Sequence, residues 1–529
     1  MMMHTQECRW FRNPEKRRTG SEQHITKRWI ALLLTVLLGA GVLSACGATP
    51  DTEGPETAFS APIQTGTPET QPDDESGTAE TGAQGPDLPN RTYDDEIKVL
   101  HWTIDETWIP WEEVTVDAPN GDTLTDAVYE RNTAFKESFG IDLVNDYIYT
   151  HDIVAKVNNM VATGLDEYQI IMQRGYEFQF LMTTDSFSDI GALPYVDVTR
   201  PWWNRDSVNT FTFGGVTLFA ASDMLLLDKG ATVGVFFNGK IAADRGWDGA
   251  HFYSMVDKGT WTLAELCAAA EEAYEDADGD QKVSTGDVFG AMGGDGVIQF
   301  MINGAGERFC MSTGDDTFLR YSFNERCYDV VIDTLDELLY REYFISNRYT
   351  DKSALDNAFQ NDQCLFTFTH VKKVNSFRAM ETAYGILPVP KYDEAQRSYA
   401  SEISPHHDTL MAIPKTATKD DDRAEILGVT LEALSWISHD TVYPQLYDVV
   451  LSGKGTRDEE SRQMLNLIFE NRVYDIGIIF DFGNFAYTVL NLVNTGGTDV
   501  ASAYEGAERT IHSQMDEVIG KLREITGVG

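Results

Sequence analysis

Ile97-Lys98-Val99-Leu100-His101-Trp102 is a short strand-like run, and the pattern that follows it decides the fold. From Asp122 to Phe139, Leu124, Val128, Phe135 and Phe139 recur at near-helical spacing; Gly140 stops the helix, and Ile141 to Ile148 alternates as a strand. The unit then repeats, with a helix from Asp152 to Ala162, Gly164 as its stop, and the strand Tyr168-Gln169-Ile170-Ile171-Met172. Strand and helix alternate, which predicts a mostly parallel sheet with helices on its faces and ligands beyond the carboxyl ends of its strands. Gln173, Arg174 and Asp223 lie just after such strands and are candidate ligand contacts.

Past Val233-Gly234-Val235-Phe236-Phe237-Asn238 the character shifts towards helix, with Leu263 to Glu275, Glu325 to Tyr340 and Ala354 to Phe359 as candidates. The strand Cys364 to His370, whose last residue is a further ligand candidate, and the run Tyr384 to Pro388 read as sheet again. Arg423 to Ser438, Ser461 to Asn471 and Ala501 to Ile525 read as helices. A chain that leaves one lobe, builds another and returns is the plan of an α/β clamp, with a helix-rich second lobe and hinge closure over a ligand. The approximate expected boundaries are 92–235 and 364–415 for the first lobe, and 236–363 and 416–529 for the helix-rich second lobe and the return helices.

Before all this stands an address. Arg9, Arg12, Lys16, Arg17, Arg18, Lys27 and Arg28 precede an uncharged run from Trp29 to Leu43, of signal-peptide length and short for a membrane span. It ends in Leu43-Ser44-Ala45-Cys46, which resembles a bacterial lipobox: small residues suit a peptidase, and the Cys46 thiol accepts lipid. Residues 1–45 are then a lipoprotein signal peptide, and a diacylated cysteine anchors stably where one acyl chain does not. Residues 46–91 are rich in Thr, Pro, Gly and acid, with too little apolar surface to order themselves, and read as a spacer. The expected location is the outer face of the cell membrane.

The chain of 529 residues is 42% hydrophobic, enough for more than one domain and too much for a wholly disordered chain. With 84 acidic against 41 basic residues its net charge is −43, which argues against a nucleic-acid partner. Six cysteines, at 8, 46, 267, 310, 327 and 364, form no spaced zinc framework; Cys310 and Cys327 are compatible with a disulfide or with buried thiols.

The sharpest local signal is the run from Asp276 to Asp287. Asp276, Asp278, Asp280, Ser284 and Asp287 occupy positions 1, 3, 5, 9 and 12 of a twelve-residue loop, with Lys282 at position 7, the ligand spacing of a structural Ca²⁺ site. Gln281 stands where an EF-hand has glycine, and Asp287 where it has the longer Glu; the same residues also read as an acidic turn capping the preceding helix. Trp102 at a strand end, and Trp202 and Trp203 in the loop after Pro201, are candidates for stacking on the C–H face of a sugar, although most tryptophans are core residues. G-x-S-x-G, H-E-x-x-H, Walker and dinucleotide-binding motifs are absent. His406-His407-Asp408 reads as metal ligands or, more in keeping with its loop setting, as a polar surface turn.

Several strings carry a resemblance. Phe236-Phe237-Asn238-Gly239-Lys240 with Gly246-Trp247, then Lys258-Gly259-Thr260-Trp261-Thr262-Leu263, the acidic loop and Val288-Phe289-Gly290 resemble the middle of extracellular solute-binding proteins of bacterial ABC importers, in the sugar-binding family 1 lipoprotein group. Arg200-Pro201-Trp202-Trp203, the segment from Tyr384 to Tyr392, and Arg457 to Ser461 with Met464-Leu465 are similar too. The resemblance implies a periplasmic-binding-protein-like fold, type II-like, without catalysis. It also implies that a captured solute, expected to be a carbohydrate or similar small polar molecule, is delivered to ABC permease subunits; a monomer is expected. That family shares no single ligand-contact motif, so the candidate residues above rest on strand-end position and aromatic identity. A glycoside hydrolase and a surface adhesin are the rival readings.

Overall fold

The computed structural model describes residues 85–104, 109–294, 296–314, 317–346, 357–451 and 459–528. The signal segment, Cys46, the spacer up to residue 84 and Trp108 lie outside the described residues. In chain order the elements used below are β1 (Asp95–Thr103), α1 (Thr123–Phe139), β2 (Ile141–Tyr149), α2 (Thr150–Thr163), β3 (Ile170–Gln173), β4 (Val233–Asn238), α3 (Leu263–Ala273), β5 (Phe289–Met292) and β6 (Phe344–Ile345). They continue with β7 (Cys364–His370), β8 (Tyr384–Leu387), β9 (Ser401–Glu402), β10 (Leu410–Ala412), α4 (Asp421–Val450), α5 (Glu459–Glu470), β11 (Arg472–Val473) and α6 (Val500–Thr526).

The predicted alternation builds the first sheet, in the order β10-β3-β1-β2. β1 pairs in parallel with both β2 and β3, and β10 closes the edge antiparallel to β3. Residues at both ends of α1 shape it locally. The Asp122 side chain accepts from the Thr125 N–H, and Gly140 ends the helix at φ 65, a conformation that costs a Cβ-bearing residue about 1–2 kcal/mol. The buried face of α1, Leu124, Val128, Phe135 and Phe139, is the set whose spacing marked the helix.

The second sheet has the order β6-β5-β7-β4-β8, with β6, β5 and β7 mutually parallel and β4 antiparallel to both its neighbours. Here the structure corrects the expected boundaries. β7 and β8 were assigned to the first lobe, yet both pair with β4 in the second sheet. Conversely α4, assigned to the second lobe, packs along α1 in the first. Strand pairing over more than a hundred residues leaves no local trace, and an apolar run fits either sheet.

Among the described residues, the segments around Thr232, Ile403 and Val473 run side by side between the sheets. Thr232 bridges Ile403, the Ser404 N–H donates to the Ala231 carbonyl at 3.1 Å, and β9 pairs in parallel with β11. Cys267, Cys310, Cys327 and Cys364 are buried free thiols, so the disulfide alternative for Cys310 and Cys327 is not realised. Among the described residues no helix is long and apolar enough to cross a membrane.

Candidate interlobe binding site

The loop after β1 carries the first part of the site and is held rigidly. Glu113 is fully buried; its carboxylate is hydrogen-bonded to His101 Nε2 at 2.8 Å and accepts from the Leu226 and Leu227 N–H groups at 2.6 and 2.9 Å. Burial alone would raise its pKa, but His101 and the main-chain donors outweigh that and hold it below the ordinary value. The Arg131 guanidinium donates to the carbonyls of Glu113 and Val114, both at 2.9 Å. Trp111 and Glu112 are thereby fixed at the end of the first sheet.

Trp111 and Glu112 line a cavity of about 280 Å³ with Asn120 and Asp122 from the first lobe and, in the second, Asn375 and Arg378 from the short helix Val374–Phe377 after β7 and its C-cap. This volume falls just below the range of small-ligand sites, which starts at about 300 Å³. The wall is polar and mixed: carboxylates accept, the guanidinium donates, and the two amides do both. Arg378 approaches Asp122 at 3.9 Å across the lobes, both half-exposed, a pair worth little on its own. Trp111 Nε1 and Asn375 Oδ1 are buried without a hydrogen-bond partner, each costing about 1–3 kcal/mol. The Tyr147 hydroxyl donates to Glu112 at 2.6 Å and is kept protonated by burial first and that carboxylate second.

A second cluster stands at the ends of β2 and β3. Tyr176 lies 4.5 Å, centroid to centroid, from His406 and 6.4 Å from Phe180, while Tyr149 and His151 meet edge to face at 5.2 Å. Below them Arg174 pairs with Glu177 and donates to the His406 carbonyl at 3.1 Å. Burial, then the Arg174 charge, lowers the His406 pKa to about 4, and burial raises that of Asp408 to about 7. From the second lobe His370 faces His407 at 4.2 Å and Phe300 at 6.0 Å.

Set against this geometry, the sequence candidates separate. Arg174 is buried just after β3, paired with Glu177 and bonded to the His406 carbonyl, and His370, the last residue of β7, has its ring against His407 and Phe300. Gln173 is at the strand end, but its side chain is used internally: it accepts from Thr150 Oγ1 at 2.8 Å and donates to the Thr150 carbonyl at 2.7 Å. Asp223 is buried between Lys229 at 2.9 Å and His439 at 2.6 Å, an internal ion pair. The three tryptophans are corrected to core residues. Trp102 is 0% exposed and donates to Thr409; Trp202 and Trp203 are 0% and 3% exposed and donate to the two oxygens of Glu432 on α4. A ring whose faces and N–H are satisfied inside one lobe offers nothing to a sugar. The run His406-His407-Asp408 is no surface turn, since Asp408 is fully buried and accepts from the Gly175 N–H at 2.8 Å.

Trp111 is the residue the strand-end argument passed over. The signal was present: a tryptophan nine positions beyond Trp102, in the loop between β1 and α1 and followed directly by Glu112 and Glu113.

Two solved structures share this architecture. The cyclic alpha-maltosyl-1,6-maltose binding protein of Arthrobacter globiformis superposes with a TM-score of 0.51 at 14% identity, over 80% of this chain and 99% of that one. UspC of M. tuberculosis gives 0.50 at 14% identity, over 79% and 99%. No protein-family model matches the chain, and no curated protein does. The chain has the two-lobed fold of periplasmic binding proteins, as the resemblance implied.

Proposed function

We propose that the protein is the capture component of an ABC importer, closing two lobes over a carbohydrate or similar polar solute and passing it to membrane permease subunits. No bond of the solute is made or broken. Lipid on Cys46 tethers the protein outside the membrane, and the acidic spacer holds the lobes clear of it. The observation that carries the reading is the cavity lined from both lobes, with an indole, two carboxylates, two amides and a guanidinium around it. Such a wall suits a ring with apolar C–H faces and hydroxyls that both donate and accept. A ligand in it would bind both lobes at once, so its binding energy favours the closed arrangement. The folds of the two solved structures agree with this reading.

The test is intrinsic fluorescence and melting temperature of the full chain against a panel of mono- and oligosaccharides, with chromatography of the sugar afterwards. One or more sugars should shift emission saturably, raise the melting temperature and be recovered intact. A panel that moves neither signal sinks the carbohydrate assignment, and a sugar recovered cleaved makes the protein a hydrolase.

A further inference from the structure

The loop from Asp276 to Asp287 joins α3 to β5 in the second lobe, with Glu275 and Val288 exchanging main-chain hydrogen bonds of 2.9 and 3.0 Å at its neck. Carboxylate oxygens of Asp276, Asp278 and Asp287 all lie within 4.8 Å of one another. A cluster of acidic side chains would not by itself be a site, but Asp287 is unlike a surface carboxylate. It is 0% exposed, and while its Oδ2 accepts from the Ser284 N–H at 2.8 Å, its Oδ1 is buried without a hydrogen-bond partner. A carboxylate oxygen out of water with no donor is costly, and two further carboxylates beside it add repulsion. A bound divalent cation removes both costs together.

We infer that Asp276, Asp278 and Asp287 hold a calcium-type divalent cation in this loop, with Ser284 and the main-chain carbonyl of Lys282 at the spacing to complete an oxygen-only shell. Asp280, expected among the ligands, is not gathered with the other three. Its carboxylate accepts from the Lys282 N–H at 2.8 Å and pairs with that residue's ammonium at 3.5 Å. The hard oxygen donors and the lack of nitrogen or sulfur ligands select calcium or magnesium over zinc or copper. The short Asp287 in place of a bidentate Glu puts the affinity in the range of extracellular modules, about 10⁻⁴–10⁻³ M. The ion's work is structural. Gln363 donates to the Thr285 carbonyl at 3.0 Å, and the Phe289 N–H donates to the Gln363 carbonyl at 2.8 Å, so ordering the loop also fixes the register of β5 beside β7.

The experiment uses the full chain freed of metal with a chelator and titrated with calcium chloride alone, read by calorimetry and by melting temperature. Terbium is the third readout, its emission sensitised by Tyr274, which lies close enough to Asp276, Asp278 and Asp287 to feel their charge. One ion per chain, a rise in melting temperature and sensitised terbium emission displaced by calcium are expected. Asp278→Asn, at an exposed position, should fold normally and bind at least about tenfold more weakly. Asp287→Asn should abolish binding. Absence of heat and of any melting shift at 10 mM calcium overturns the inference, and so does a calcium response unchanged in Asp278→Asn. Neither outcome bears on the saccharide panel, so the site and the proposed function stand or fall separately.

Discussion

Glu402 lies on β9, one of the segments crossing between the lobes, and is fully buried. One carboxyl oxygen accepts from the Gln299 amide; the other is buried without a partner. Burial, only partly offset by Gln299, raises its pKa from 4.5 to about 8. Between those values the unfolded chain has released the Glu402 proton while the folded chain still holds it, so stability falls as pH rises. The slope is about 1.4 kcal/mol per pH unit, and the whole window costs on the order of 5 kcal/mol. Glu402→Gln keeps the shape and the bond from Gln299 but has no proton to hold. It leaves an amide N–H₂ buried without a partner, costing about 1–3 kcal/mol at every pH. The variant should therefore be no more stable than wild type at pH 4.5, and more stable by about 2–4 kcal/mol at pH 8. Urea unfolding of both proteins at several pH values measures the difference; neighbours such as Asp475 titrate in both and cancel. A difference that stays constant with pH means the folded protein carries an ionised Glu402, and the argument from burial is then wrong.

Other perturbations test other parts of the reasoning. Trp111→Phe keeps an aromatic face but removes the pyrrole ring with its N–H, and should weaken whichever sugar the panel selects by about tenfold, near 1.4 kcal/mol, without changing the melting temperature of the unliganded protein by more than a few degrees. Gly428→Ala replaces the poorer helix former with the better one inside α4, yet a Cβ there would stand 1.8 Å from the Pro194 carbonyl oxygen. It should lower stability by about 1–3 kcal/mol, and a rise in melting temperature would contradict the packing of α4 on that loop. Gln281 holds φ at 60 in the acidic loop. Gln281→Gly should relieve about 1–2 kcal/mol of strain against about 0.5–1 of chain entropy, a small net gain visible by denaturant titration.

Local order was legible where one period governed one element. Leu124, Val128, Phe135 and Phe139 mark α1 because a single face meets a single sheet, and Gly140 and Gly164 mark stops because both helices end in the left-handed conformation. Elements governed by distant partners were read less well. The helix expected to end at Ser438 runs on through Pro444 to Val450, since Val442, Leu446 and Val449 keep it packed past the missing hydrogen bond. The helix expected from Glu325 to Tyr340 changes to a wider winding at Thr334–Leu339. The tryptophans show the limit for the site. Trp102 and Trp111 look alike in sequence, yet the partners that make one a core residue and the other a cavity wall are Thr409 on one side and Arg378 and Asn375 on the other, all more than 250 residues away.

The edge strand β10 and the long helix α4 come from residues 410–450, although the sheet and helix they complete were laid down before residue 175. An emerging chain therefore cannot finish its first lobe until most of the molecule has been synthesised, and until then β3 carries an uncovered row of amides and carbonyls. Truncation near residue 400 should yield aggregates in place of a stable half, and the chain remains pliable for most of its manufacture.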